Sequence, residues 1–439
     1  MTRSPLLALG LSAALLVVIA GMAIGSSATA GLSPSDLALI SSVMELVKQD
    51  YVHPIPEDRL TQDALKGMLT RLDPHSAYLD EREYREVRDD MSGKFGGIGV
   101  EIEDQAGIPI VISPIDGTPA AEAGLQPGDR IVAVDGKGTD GMDATQVVNA
   151  VRGKPGSAIT LTISRETERP FDVTLNRSVI QVHTVVSKLQ PSGIGYLRIS
   201  QFEQDTPRDL KQAITTLQQD AGGKLKGLVL DLRNDPGGLL NSAVEVSRDF
   251  LDGGTIVSVR GRNRSDDQVY KARAHGDLVP GTPIAVIING ASASASEIVT
   301  GALQDHHRAI VLGTRSFGKG SVQSIIALNG HGALRLTTGL YYTPSGRSIQ
   351  GEGITPDVTM EAPKDEQVTG AMPLRESMLH GAFTNPGPLA KTNGGASENP
   401  APQREEYSAP IKTKLIGTPE DAQLQEALGY LARTTAQRS

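Results

Sequence analysis

Ser294, Lys319 and Gln323 are the residues of this chain whose types and spacing could carry covalent chemistry. They lie in one segment, NGASASASEIVTGALQDHHRAIVLGTRSFGKGSVQ, spanning residues 289–323. A serine hydroxyl needs a base before it can attack a carbonyl, and no histidine-containing serine-hydrolase motif is visible. A lysine stands between two glycines, 25 residues after the serine. It can serve as the base only if burial lowers its pKa towards neutrality, a shift of several units for a fully desolvated ammonium. Taken alone, alternating Ser and Ala also read as small-residue packing of a helix on a sheet, and Lys319 as a solvated loop lysine. The surrounding elements must decide between these readings.

At 439 residues the chain is long enough for two or three domains. Apolar residues make up 38%, with 48 Gly and 26 Pro, which suits a globular α/β protein with many turns. A net charge of −9 with no basic run argues against a nucleic-acid partner, because phosphate neutralisation needs a basic face. The absence of Cys excludes disulfides and thiol catalysis. Arg3 precedes an apolar stretch from Leu6 to Ile24, and Ala28-Thr29-Ala30 offers small residues for signal-peptidase cleavage. The stretch also approaches the ~20 residues that span a bilayer. A cleaved signal and a retained anchor both fit, and either places the rest of the chain in the cell envelope.

Residues 35–90 read as helical, with Leu37, Ile40, Val43, Met44 and Val47 at helical spacing, a break at Pro54 and Pro56, and a repeat of the pattern over Leu60–Leu72. LDPHSAYL (72–79) falls within this region. Residues 93–178 change to short β-rich runs separated by Gly and Pro, with a helix over Ala144–Val151 and a tight hairpin turn at Asp135-Gly136. From 180 to 360, apolar strands (Gly227–Leu232, Ile284–Ile288, Ala309–Leu312) alternate with helical patterns (Arg208–Gln218, Ser296–Leu303), the signature of a βαβ layer. Residues 386–410 read as a flexible linker. Thr418-Pro419-Glu420-Asp421 is expected to cap a final helix running to Ala432.

Three further constellations bear on chemistry. The first joins Gly93–Val100 to AAEAGLQPGDRI (120–131), and it resembles a PDZ domain of the bacterial protease type. Gly97, Ile98, Gly99 and Val100 would cradle a carboxylate on free N–H groups, the strand 98–103 would pair with an extended peptide, and Val147 and Val151 would form the opposing wall. The second is DLRNDPGGLL (231–240), directly after an apolar strand, where paired glycines let a ligand approach the backbone. A simple strand-to-helix turn is its bland alternative. The third, Gly313–Lys319, matches a P-loop except that Gly320 replaces the required Ser or Thr and a strand, 322–328, is expected to follow; both departures argue against a nucleotide. His306 and His307 point about 100° apart on a helix and lack accompanying ligands, so no metal is expected.

Together, LDPHSAYL, the PDZ strings, DLRNDPGG, NGASASASE, GTRSFGKGSVQ and TTGLYYTPSGRSIQGEGITPDV (337–358) resemble the carboxy-terminal processing proteases, the tail-specific serine peptidases of family S41. The resemblance covers roughly residues 35–360. It implies a multidomain α/β protein in which a β-rich PDZ domain precedes a crotonase-like (ClpP-like) protease core, with helical regions at both ends. The corresponding division is a signal or anchor over 1–30, a helical region over 31–92, the PDZ domain over 93–178, the protease core over 179–363, a partly flexible linker over 364–417 and a C-terminal helix over 418–439. It implies a serine endopeptidase without cofactor or metal: Ser294 as nucleophile, Lys319 as base, Gln323 orienting the lysine, and oxyanion donors at Ala295 and at Gly237 or Gly238. Asp305 lies ~16 Å along the helix from the serine, which favours a structural role at the helix end. Asp235 and Ala291 stand where the family usually has Asn and Gly. Implied partners are proteins or peptides with a free C-terminus, recognised by a PDZ domain that gates the site; an adaptor and a second copy of the chain, through helices at 35–70 and 418–432, are further candidates. The competing readings are a non-enzymatic peptide binder and a carrier of small apolar ligands.

Overall fold

The computed structural model describes residues 32–105, 108–115, 117–142, 144–165, 169–368, 374–389 and 410–436. The signal or anchor expected over 1–30, and most of the expected linker, lie outside the described residues. Among those described, no helix is long and apolar enough to cross a membrane.

The described residues up to Asp63 belong to one compact unit, and Ala64 onwards to a second. In the first, α1 (Pro34–Asp50) is capped by Ser33, whose hydroxyl accepts the Asp36 N–H. None of its residues is buried, and Leu37, Ile40 and Val43 are exposed. Helix α2 (Glu57–Leu69) begins just past Pro56, as the proline break predicts.

In the second unit, residues expected to be helical up to 90 include a short strand, Ala77–Leu79. It pairs antiparallel with Ala333–Arg335, a partner more than 250 residues away that no local periodicity reveals. Helix α3 (Glu81–Ser92) follows. Asp80 and Glu83 form its capping box, and Gly93 ends it at φ 67°.

Gly93 leads into the β-rich module. Its entry strand, Lys94–Gly97, pairs antiparallel with Ser178–Gln181, so entry and exit form one ribbon. Between them a sheet runs in the order Val100–Gln105, Ile108–Pro114, Arg130–Val134, Ala158–Ser164, Phe171–Asn176. Asp135 and Gly136 both adopt positive φ, which is what a two-residue hairpin of this hand requires. Helices α4 (Pro119–Glu122) and α5 (Ala144–Val151) complete the module around Ile98, Val111, Ile131, Leu161 and Ile163.

The protease-sized remainder is built on a six-stranded sheet ordered Val185–Leu189, Ile194–Ile199, Gly227–Asp231, Ile284–Ile288, Ala309–Gly313, Val358–Thr359, parallel except for its first pair. The central strands are apolar on both faces, as a sheet covered on both sides demands. Leu228, Leu230, Val286, Ile288 and Val311 face α6 (Thr206–Asp220), α7 (Leu240–Arg248) and α8 (Ala295–Asp305). Val229, Ala285, Ile287 and Leu312 face the C-terminal helix α9 (Ala422–Ala436).

That last helix starts later than expected. Thr418 does not cap it; the Asp421 carboxylate accepts the Leu424 N–H (3.0 Å) instead. A second sheet places Ala333–Tyr342 against Ala77–Leu79, Thr255–Gly261 and Ser321–Ala327. The last of these confirms a strand, not a helix, after the near-P-loop.

Candidate active site

The loops after Asp231 and after Ile288 leave the carboxyl ends of two adjacent parallel strands, paired through Asp231 and Ile287. Such strand ends are where open α/β sheets place their ligand crevices. The two loops are stitched together by backbone and hydroxyl bonds. The Ala293 N–H and the Ser296 hydroxyl both donate to the Asp235 carbonyl (2.9 and 3.0 Å), and the Ser292 hydroxyl donates to the Leu232 carbonyl (2.7 Å). Asn289 takes the Asn234 N–H on its side-chain oxygen (3.0 Å) and returns an N–H to the Asn234 side chain (2.8 Å). Small Ser and Ala residues are therefore needed for loop-to-loop contact as well as helix packing.

Ser294 stands at the N-terminus of α8 with φ 56° and ψ −110°, a conformation costly for any non-glycine residue unless its surroundings impose it. Glu297, one turn along, does so. Its fully buried carboxylate accepts the N–H groups of Ser294 (2.7 Å) and Lys319 (2.9 Å) on one oxygen. The other oxygen accepts the Gly318 N–H (2.7 Å) and the Ser316 hydroxyl (2.6 Å). Burial pushes the Glu297 carboxyl up to about 7, while those four donors hold it down. One side chain thus fixes the backbones of both the serine and the lysine. The sequence showed Glu297 as the last letter of NGASASASE, but nothing in its spacing disclosed a partner 22 residues downstream.

Two N–H groups beside the serine, those of Ala295 and Gly238, make no hydrogen bond among the described residues. Ala295 opens α8, so its donor also carries the positive end of the helix dipole. Gly237 is corrected as a candidate donor: its N–H donates to the Asp235 carboxylate (2.8 Å). Gly237 instead supplies closeness, since a Cβ there would fall 2.8 Å from the Ala295 nitrogen and fill the space in front of that donor. At Gly238 (φ 144°) a Cβ would meet the Phe202 carbonyl oxygen at 2.1 Å.

Ser294, Lys319, Gln323, Gly238 and Ala295 line one cavity of about 250 Å³, together with Tyr341 and Arg335. The Lys319 ammonium has no hydrogen bond or ion pair among the described residues. Burial holds its pKa below the ordinary lysine value, with Arg335 adding to the effect and the carboxylates of Glu376, Glu297 and Asp73 opposing it. Ser294 and Lys319 are not hydrogen-bonded to each other. The Tyr341 hydroxyl, which lines the same cavity, donates to the Lys319 carbonyl. Gln323 does not touch Lys319: its amide donates to the hydroxyls of Ser321 (3.0 Å) and Thr337 (3.3 Å). Thr337 in turn donates to Asp73 (3.0 Å), which ties the glutamine to LDPHSAYL.

Asp305 ends α8 and accepts the Ser345 N–H (2.8 Å), a turn-anchoring position. His306 bonds the Thr255 carbonyl (2.7 Å), and among the described residues no cluster suited to a metal ion is found.

In the β-rich module, Ile98 and Gly99 follow the entry strand, and Val100 starts the edge strand of the sheet, so the strand begins two residues later than expected. The N–H groups of Ile98 and Gly99 make no hydrogen bond among the described residues, whereas their carbonyls accept from Ala120 and Ile115. Gly97 is buried at the end of the entry strand. Val147 (0% exposed) and Val151 (4%) are corrected as an open wall: both are packed into the module's own core.

Comparison with known proteins adds three family matches: Peptidase family S41 over residues 193–360, a PDZ domain over 110–165, and the N-terminal domain of the activating protease CtpB over 21–83. A carboxy-terminal-processing protease of Bartonella bacilliformis is 45% identical over 384 residues, covering 87% of this chain and 88% of that one. The carboxy-terminal processing protease CtpA of Bacillus subtilis is 33% identical over 354 residues, 80% of this chain and 75% of its own. Among solved structures, a photosystem II D1 C-terminal processing protease is 29% identical, covering 75% of this chain and 94% of that one with a TM-score of 0.45.

Proposed function

The chain belongs to peptidase family S41 as a serine-type carboxy-terminal processing protease with a PDZ domain, and from that premise we propose that it cuts exported proteins near their C-termini with a Ser294–Lys319 dyad. The observation that carries this reading is the pairing in one cavity of a strained serine, beside two N–H donors unspent among the described residues, with a lysine that has no partner among them and a lowered pKa. Neutral Lys319 takes the Ser294 proton as Oγ bonds to the scissile carbonyl carbon. The carbonyl oxygen gains negative charge and is held by the Gly238 and Ala295 N–H groups. The tetrahedral intermediate collapses, the C–N bond breaks, and the protonated lysine gives its proton to the departing amine. Water then cleaves the acyl-enzyme by the same route.

In the resting arrangement Ser294 and Lys319 line one cavity without a hydrogen bond between them, so proton transfer needs a rotation of the serine or the lysine side chain. We assign that adjustment to the substrate's arrival, with the free Ile98 and Gly99 donors capturing its terminal carboxylate. Residues 1–30 would direct the enzyme to the cell envelope.

The test is digestion of one protein with and without an apolar C-terminal tail by wild type, Ser294→Ala and Lys319→Ala. Cleavage of the tailed form by wild type alone is the expected result. Turnover by Lys319→Ala at the wild-type rate would remove the dyad, and equal cleavage of both substrates would remove tail recognition.

A further inference from the structure

Residues beyond 360 lie outside the matched peptidase segment, yet three of them, Ile411, Asp421 and Gln423, grip the loop that carries Gly238. Arg233, wholly buried and second after the strand end, donates to both carboxylate oxygens of Asp421 (2.9 and 2.5 Å). It also bonds Asp231 and the Gln423 side chain (3.1 Å), and Asp231 receives the Tyr196 hydroxyl (3.0 Å). Next in the chain, Asn234 holds φ 56°. Its amide donates to the Ile411 carbonyl (2.6 Å), and its side-chain oxygen accepts the Ile411 N–H (3.2 Å). Asp421 meanwhile caps α9 through the Leu424 N–H, so the helix cannot dock without bringing the arginine's counter-charge with it. Residue 411 is itself fixed by an antiparallel bridge to Gln367.

We infer that the C-terminal segment, acting through Asp421 and Ile411, is a positioning element of the oxyanion site: it sets where the Gly238 N–H points. Leu232, Arg233 and Asn234 link the strand end at Asp231 to the Asp235–Gly238 turn, and Arg233 and Asn234 carry the side-chain anchors. Each is held on one side by the protease core and on the other by the tail. A guanidinium shared by two carboxylates has one geometry that satisfies all its donors. Loss of one carboxylate leaves a buried charge half-paired, and the loop must shift to hydrate it. The Gly238 donor, five residues on from Arg233, moves with it, and an oxyanion donor acts only within hydrogen-bond distance of the developing charge.

This inference rests on Ser294 and Gly238 having the roles proposed above. Asp421→Asn in the full chain keeps the side-chain shape and removes the charge. Asn234→Gly removes the bonds to residue 411, and with them the one accepted from Asn289, while tolerating the positive φ, so Asp421→Asn is the variant that isolates the tail. Each should lower kcat by about 10- to 100-fold, the range for a misplaced catalytic group, with KM for a tailed substrate changed less than about threefold. Affinity for a peptide boronate, whose adduct on Ser294 mimics the tetrahedral state, should fall by the same factor as kcat/KM. Binding of a tail peptide to the PDZ domain should stay unchanged. A folded Asp421→Asn with wild-type kcat, or activity lost without loss of boronate affinity, would overturn the inference. So would failure of both variants to fold, which would assign the tail to stability alone. If Ser294→Ala were active, the proposed function would fall instead, whatever these two variants did.

Discussion

The two halves of the active site are built in opposite ways. Around Ser294 the backbone and the neighbouring loops are held by Glu297, Asp235, Leu232 and Asn289, while the Ala295 and Gly238 donors and one Asp235 carboxylate oxygen are left unspent among the described residues. Around Lys319 the backbone is held as firmly, through Glu297 and through Gln350, which accepts the Gly320 N–H (2.9 Å), but the ammonium ends in the cavity unpaired among the described residues. The difference is chemical. An oxyanion site works by donors fixed before the charge develops, so rigidity is useful there. A lysine base must be neutral, and an ion pair would keep it charged. Leaving Lys319 without a partner and partly desolvated favours the form that can accept a proton.

The comparison is broken most severely at the lysine. Lys319→Met keeps the bulk and removes the proposed base; the loss in kcat/KM is expected to reach about 10⁴-fold or more, in the range of other activated nucleophiles deprived of their base. In the wild type, kcat/KM should rise with pH by up to about tenfold per unit, levelling at a midpoint below the ordinary lysine value of 10.5, because only the neutral amine acts. A profile flat from pH 6 to 10 would contradict a lysine base.

Glu297→Gln tests whether one carboxylate unites the halves. An amide presents two donors where Glu297 now accepts from Ser316 and Gly318, or from Ser294 and Lys319, so one pair is broken. A fall of about 100-fold in the rate of fluorophosphonate labelling of Ser294 is expected. Labelling within threefold of wild type would show the two backbones to be held independently.

Gln323→Ala should cost less, about tenfold at most, since its amide reaches Lys319 through no hydrogen bond in the resting state. A loss as large as that of Lys319→Met would mean the glutamine re-pairs with the lysine during turnover.

Asp235→Asn is the mildest. Burial raises the Asp235 carboxyl well above its ordinary value, and one of its oxygens is buried without a partner. A raised folded-state pKa gives stability below the unfolded value of 3.8 that is lost as pH rises above it, so asparagine should stabilise at neutral pH by roughly 1–3 kcal/mol. Activity should stay within about twofold of wild type. Chemical denaturation at pH 5 and pH 8 would check the sign, as the gain must be larger at pH 8.

Much of this was legible in the chain because the signals were local. The strand Ile284–Ile288 and the turn at Asp135-Gly136 follow from apolar runs and turn chemistry, and PDZ and protease strings place Ser294 and Lys319. What escaped was non-local. The strand Ala77–Leu79 exists because Ala333–Arg335 pairs with it, and Asp421 rather than Thr418 caps the last helix while also pairing with Arg233, 188 residues away. Gly237 looked like a donor until its neighbour's side chain claimed the N–H.

By itself, then, the sequence determined the order of modules, the family and the identity of the nucleophile and base candidates, since these depend on residue types at short spacing. Only the tertiary structure decided which N–H groups remain unspent, that Glu297 holds the backbones of both Ser294 and Lys319, and that the C-terminal segment grips the loop carrying Gly238. Those outcomes depend on where the last hydrogen-bonding group in each neighbourhood finds its partner, and that is set by how separate segments pack, from two residues apart at Gly237 and Asp235 to 188 at Arg233 and Asp421.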